Sequence, residues 1–279
     1  MRNGLLLFLL LLPVVARAQL DDTGLISRFY LDEAASGTGP TETVDAASGP
    51  LNLTLNYDAG TADLEYTEVT GNRGLDSKDT AGAQRADRNL AAGDKIYDGI
   101  HGSKTATFEI VVDQDGCSAS NGRWFAINGR GGDNPHGGFN CTATNNWTFY
   151  FNETGAEGYN DIDTTKVCLH VVYDTALADA DDRVKIYENG TLLTESAAGT
   201  DPTQNATFNL TTCATACQLI MLNRETSGPA WARSVDGILF YAALYSVAFT
   251  ATRAGDHCTI LNADDDTPAA GARRFMLID

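Results

Sequence analysis

Two carboxylates placed two residues apart on a strand share one face, which suits a retaining glycoside hydrolase, whose two acids stand about 5 Å apart. Asp63-Leu64-Glu65 has that spacing, with Glu68 out of register. Four histidines (His101, His136, His170 and His257) are available as general bases, but no Gly-x-Ser-x-Gly elbow accompanies them. His170 stands mid-strand between Leu169 and Val171, where a packed or surface histidine is expected. Asp133 and His136 fall in a Gly-rich stretch, Asn128 to Gly138, and are the polar residues best placed there to touch a ligand. Trp124, Trp147, Tyr150 and Trp231 can stack on sugar faces. In Trp147-Thr148-Phe149-Tyr150-Phe151 alternate residues face opposite ways, so one set is core and the other is open to a ligand. The ligand-contact set is therefore Trp147, Tyr150, Trp231, Asp133 and His136.

The elements that must position these groups are strands. Arg183 to Leu193 carries Asn189-Gly190 between two apolar-polar runs, the signature of a two-residue type I′ hairpin, which sets Glu188 opposite Thr191 and Tyr187 opposite Leu192. Strands are also predicted over Gly24–Leu31, Leu51–Leu55, Leu64–Val69, Thr105–Val112, Arg123–Ile127, Trp147–Phe151, Lys166–Asp174, Thr207–Leu210, Gln218–Leu222 and Val235–Tyr245. Gly71–Leu75 reads as a turn-rich connection. The Ala, Arg and Asp residues of Ala81–Ala92 predict a short helix over a sheet edge, and Ala251–His257 one or two helical turns. Many short strands with turn signals between them predict an all-β antiparallel sandwich or barrel.

Residues 1–18 read as a signal peptide: Arg2, an apolar run from Leu5 to Val15, then Ala16-Arg17-Ala18. Residues 19–258 form one domain and 259–279 a tail. The chain has 19 basic and 37 acidic side chains, a formal charge of −18, which opposes phosphate backbones and argues against a nucleic-acid partner. No later stretch is long and apolar enough to span a membrane. Six cysteines behind a leader (Cys117, Cys141, Cys168, Cys213, Cys217 and Cys258) read as up to three disulfides of open connectivity, with Cys213–Cys217 and Cys117–Cys141 as candidate pairs. Sequons stand at Asn52, Asn140, Asn146, Asn152, Asn189, Asn205 and Asn209. At Asn189 the turn alone accounts for the asparagine.

The motif order resembles the laminin G-like jelly roll of the concanavalin A-like lectin and glucanase superfamily. The matching pieces are Phe29-Tyr30-Leu31-Asp32-Glu33 with Ser36-Gly37-Thr38 and Asp45-Ala46-Ala47-Ser48-Gly49, then His170-Val171-Val172-Tyr173-Asp174, the hairpin Val184 to Gly190, and Asp236-Gly237-Ile238 through Phe249. The resemblance implies a jelly-roll β-sandwich and a calcium ion at its rim, for which Asp32, Asp45, Asp113 and Asp115 are the candidate ligands. The glucanase relatives resemble Glu-x-Asp-x-Glu, and Thr61 and Thr67 leave two of those three acids missing. The expectation is a secreted, glycosylated module that binds a glycan or an extracellular protein and catalyses nothing. A self-associating structural subunit of a coat, matrix or fibre is the alternative, and a glycosidase carries lower weight.

Overall fold

The computed structural model describes residues 19–263, apart from 58–62, 79–81, 118–121, 130–134, 143–146, 160–164, 195–198, 200, 214–216, 227–229 and 232. The proposed leader and most of the proposed tail lie outside these residues. In chain order the strands are β1 (Leu25–Phe29), β2 (Glu42–Thr43), β3 (Leu53–Asn56), β4 (Leu64–Val69), β5 (Asn72–Lys78) and β6 (Arg85–Asn89). Helix α1 (Lys95–Ile100) precedes β7 (Thr105–Cys117), β8 (Gly122–Gly129), β9 (Pro135–Cys141), β10 (Trp147–Phe151), β11 (Thr154–Tyr159) and β12 (Val167–Asp174). β13 (Val184–Glu188), β14 (Thr191–Leu192), β15 (Cys217–Met221), β16 (Glu225–Thr226), β17 (Ala230–Trp231), β18 (Val235–Tyr245) and α2 (Ala251–Ala263) complete the chain.

The strands pair into two eight-stranded antiparallel sheets, the β-sandwich that the alternation predicted. Sheet A runs β14-β13-β12-β7-β18-β5-β4, and β1 pairs with the second half of β18. Sheet B runs β11-β10-β9-β8-β15-β6-β3-β2. Period-two alternation decides what each face carries. From β7, Phe108, Ile110 and Val112 enter the core between the sheets, where Phe108 meets Phe125 of β8 edge to face. Thr107, Glu109 and Val111 point the other way, beneath α2. Residues Asn189 (φ 48°) and Gly190 (φ 80°) form the expected turn, with Tyr187 opposite Leu192 and Glu188 opposite Thr191.

Several local expectations fail for physical reasons. Ala81–Ala92 holds no described helix; Arg85–Asn89 is strand β6, because Ala86 must enter the core between Leu55 and Met221. Gly71–Leu75 lies mostly within β5, whose turn with β4 falls one step earlier, at Thr70-Gly71. Thr207–Leu210 is not a strand, and Leu210–Thr212 makes a single 3₁₀ turn capped by the Asn209 side chain. The Gly-rich stretch is a loop only in part, since Pro135–Cys141 is a buried central strand. Its glycines mark close approach rather than flexibility. A Cβ on Gly137 would meet the Phe208 ring at 3.0 Å, and one on Gly138 (φ +116°) would sit 2.3 Å from the Phe125 carbonyl. Finally, α2 crosses the expected boundary at residue 258, and Leu261 is buried in the layer beneath it.

Three disulfides join Cys117–Cys141, Cys168–Cys258 and Cys213–Cys217. Cys168–Cys258 closes a 90-residue loop, on the order of 4 to 5 kcal/mol in the chain-entropy account, and ties α2 to β12. Replacing Gly138 with alanine is expected to cost roughly 3 kcal/mol by urea unfolding, since backbone must move as well as φ. Gly37→Ala, at φ +82° with nothing within 4 Å of the new Cβ, is expected to cost about 1 kcal/mol. Equal losses at the two sites would contradict the close-approach reading.

Candidate functional site

Two constellations of polar side chains lie on the faces of the sheets turned away from the core. On sheet A, strand register alone sets up the first. Arg28 of β1, Ala243 of β18, Glu109 of β7 and His170 of β12 stand opposite one another in a single cross-strand row. Tyr241 and Tyr245 flank Ala243 at two residues either way, so both hydroxyls reach the same point. Glu109 Oε1 lies 2.8 Å from His170 Nε2 and 2.8 Å from His257 Nδ1, the latter delivered by α2. Its Oε2 accepts hydrogen bonds from Tyr241 (3.1 Å) and Tyr245 (3.0 Å). Arg28 donates to both tyrosine oxygens and to Asp22 at 2.6 Å.

Burial by itself would push the Glu109 carboxyl up; the hydrogen bonds from His170 and His257 outweigh it and hold the group well below the usual carboxylate range. Burial and the Glu109 charge push both tyrosines up, so they donate rather than ionise. Glu109, His170 and His257 also group closely enough to ligate a metal. The donor set argues otherwise. His257 Nε2 accepts the Asp21 backbone N–H at 3.1 Å, so the proton sits on Nδ1, the nitrogen a metal would need, and the outer nitrogen faces a donor instead of the acceptor that metal-bound histidines use. The network is a fully bonded buried carboxylate.

The second constellation covers the outer face of sheet B. Arg123, Asn140 and Thr148 stand in register across β8, β9 and β10, Tyr150 follows on the same face of β10, and Asn128 and Gln218 pair two rows away, beyond Ala126 and Ile220. Asn140 donates to the carbonyls of Gly138 and Thr148, and among the described residues its Oδ1 is buried without a partner, as are Thr148 Oγ1 and Gln218 Oε1. Burial, then the charge of Arg224, pushes the Arg123 guanidinium well below its ordinary range; Tyr150 opposes this and Arg233 adds to it. Three arginines thus converge in a chain of formal charge −18. Trp231 pairs with Glu225 beside Arg224, and Arg85 of β6, itself bonded to Asp87, lies 3.9 Å over the Trp231 ring.

The expected site residues divide accordingly. Tyr150 and Trp231 are partly exposed on or over the outer face of sheet B. Trp147 does not belong with them: at 1% exposure it packs on Phe139 in the core, because it shares a face with Phe149 and Phe151. His136 is buried as well, 3.1 Å from Glu153, and Asp133 lies outside the described residues. Trp124 is core, its indole N–H donating to Gln114. Among the described residues, none of the four candidate calcium ligands joins a group of three ligating side chains. Asp45 is consumed locally, accepting from the N–H groups of Arg28, Ala47 and Leu51 and pairing with Lys95 at 2.5 Å. Asp115 sits instead among Asp76, Glu65 and Asp236; burial, opposed by Lys78, brings Asp76 up to about 6. Asp32 and Asp113 are half-buried. Glu65 of the paired-acid spacing is engaged by Lys78.

Of the sequons, Asn140 is buried, Asn146 is outside the described residues, and Asn189 and Asn205 are exposed. Asn52, Asn152 and Asn209 are half-buried, and the Asn152 amide donates to the Thr207 carbonyl. Sequence reasoning passed over Glu109 and Arg123, although a lone charge inside an apolar strand run was the available signal in both.

No family model matches the chain, and no curated relative does. Solved structures match by fold. A Trypanosoma rangeli sialidase in complex with sialic acid superposes with a TM-score of 0.55 at 12% identity, covering 86% of this chain and 33% of the sialidase. A mutant of that sialidase displaying trans-sialidase activity gives 0.58 at 14%, covering 89% and 34%. A botulinum neurotoxin type C structure, whose cell entry depends on interaction with two ganglioside molecules, gives 0.51 at 9%, covering 86% and 52%. The protein shares a β-sandwich fold with these structures. Laminin G membership has no family match behind it. The chain spans about a third of the length of the sialidases it matches. The expectation of a module that catalyses nothing is corrected by the matches to the sialidases, which are enzymes; at 12% and 14% identity the likeness is one of fold.

The Glu109 network makes a pH prediction. A carboxyl held below its unfolded value of about 4.3 contributes stability above that pH and loses it on acidification, because the unfolded chain then binds the extra proton. Wild-type stability is expected to fall progressively below about pH 5, and Glu109→Gln to flatten that fall while costing roughly 3 kcal/mol near neutrality. A variant with an unchanged acid limb in chemical unfolding would contradict the assignment.

Proposed function

We propose that the protein acts on or engages sialylated glycans, with the carboxylate-bearing sugar held against the outer face of sheet B. The observation that carries this is Arg123, with Arg224 and Arg233 near enough to act on its charge, in one cross-strand row with the buried acceptors of Asn140 and Thr148, which have no partner among the described residues. Guanidinium groups suit a carboxylate by charge and by fork geometry, and they offer only donors. Asn140 Oδ1 and Thr148 Oγ1 are acceptors matched to sugar hydroxyls, whose donation would remove the cost of leaving them unbonded. Trp231, with Arg85 over its ring, and Tyr150 add apolar surface of the kind sugar rings lie on.

The matched structures support the same class. The sialidase was solved with sialic acid, and the toxin's cell entry depends on two gangliosides. A secreted setting agrees with three disulfides and the leader-like start, and the motif order supports a laminin G-like variety of the sandwich.

Calorimetry with sialyllactose and lactose tests the reading, alongside an assay for released sialic acid so that turnover is scored separately from binding. Sialyllactose is expected to bind and lactose to bind at least tenfold more weakly. Arg224→Gln and Thr148→Val are each expected to weaken sialyllactose tenfold or more while circular dichroism stays unchanged. Equal affinity for the two sugars, or none for either, would overturn it.

A further inference from the structure

The segment just after the proposed leader crosses the buried network of sheet A, and it does so at a histidine whose two nitrogens have opposite partners. Asp21 donates its backbone N–H to His257 Nε2 at 3.1 Å, while Nδ1 faces Glu109. Arg253, one helical turn earlier on α2, donates to the carbonyls of Asp21 (2.6 Å) and Thr23 (2.8 Å), and its Nε lies 3.2 Å from Asp21 Oδ2. Leu20 is buried in the apolar layer under α2, and Asp22 takes Arg28. Residues 20–23 therefore form a strap lying over α2 and β1.

We propose that this strap is released by acid through His257. A nitrogen that accepts an N–H has no room for a proton of its own, so a second proton on the imidazole sets two donors against each other at Nε2 and displaces the Asp21 amide. The released state binds one more proton than the strapped state, so falling pH favours release. The charged and titratable groups that face His257 are Glu109 from β7, His170 from β12 (ring centroids 6.3 Å apart), Tyr245 from β18 (5.9 Å), Asp21 from the strap and Arg253 from its own helix. Arg28 of β1 acts through Tyr241 and Tyr245. Glu109 stabilises the doubly protonated ring without needing the strap. The helix stays in place, because Cys168–Cys258 anchors α2 to β12 independently. Release uncovers Arg253, whose guanidinium lies 3.9 Å over the Phe249 ring.

Amide exchange by NMR on the disulfide-intact protein, at about pH 7.5 and about pH 5 and corrected for intrinsic rates, tests this over the range in which histidines change charge. The amides of 21–23 are expected to lose tenfold or more protection at the lower pH while β7 and α2 keep theirs. His257→Gln, whose side-chain carbonyl can accept from Asp21 and cannot titrate, is expected to protect the strap equally at both. Equal protection of the wild-type strap at both pH values, or a loss that persists in His257→Gln, would overturn the proposal. Nitrogen-15 histidine spectra of the wild type give an answer that needs no variant: His257 is expected as the Nδ1–H tautomer at the higher pH, and a proton on Nε2 there would overturn it.

Discussion

A buried carboxylate inside an apolar strand is the constraint on which the sheet A side of the molecule depends. Strand β7 is central in its sheet and covered on both faces, so a charge at Glu109 cannot reach water and must be satisfied by the protein. Four donors satisfy it, and each comes from a different place in the chain: His170 from β12, His257 from α2, and the two tyrosines from either side of Ala243 on β18. Arg28 of β1 supplies the compensating charge through those tyrosines. The positions of α2, of β1 and of the strap at residues 20–23 are consequences of that requirement, and the Cys168–Cys258 bond fixes the same arrangement covalently.

Sheet B answers the opposite demand. Its inner face is aromatic and close-packed, with Phe139 edge-on to Trp147 and Phe149, whereas its outer face carries arginine and amide groups at zero to five per cent exposure with acceptors left unfilled. Natural proteins bond nearly all buried polar atoms, and orphaned ones concentrate where a ligand completes them. The sheet A face satisfies its buried carboxylate internally, whereas the sheet B face keeps buried acceptors with no partner among the described residues.

Much of this fold was legible because alternation is a direct readout of burial. Leu64–Val69, Trp147–Phe151 and Val235–Tyr245 have the strand limits their patterns predict, and Asn189-Gly190 makes its turn because only φ > 0 residues close a two-residue hairpin. Composition misled wherever one residue type serves two purposes. Glycines 137 and 138 signal a loop, yet they are required by rings and backbone that approach too closely for a Cβ. Alanines and arginines at 81–92 suit a helix, but Arg85, Asp87 and Ala86 alternate between an outer polar face and the core. The candidate sites were harder still. Arg123 and Asn140 meet through pairing of strands 17 residues apart in sequence, and Glu109 meets His257 across 148, separations that no local pattern encodes. Trp147 and Tyr150 both suit a sugar by residue type but face opposite ways on one strand, and the packing of Trp147 on Phe139 puts Trp147 in the core.

The proposed place for an acidic sugar is the outer face of sheet B. Titrating sialyllactose into nitrogen-15-labelled protein and following backbone and side-chain amides measures this most directly. The account predicts shifts concentrated at Arg123, Asn140, Thr148, Gln218 and Trp231, with the Asn140 and Gln218 side-chain amides among the largest. Shifts confined to α2, β1 and the sheet A face, or none at saturating sugar, would contradict it.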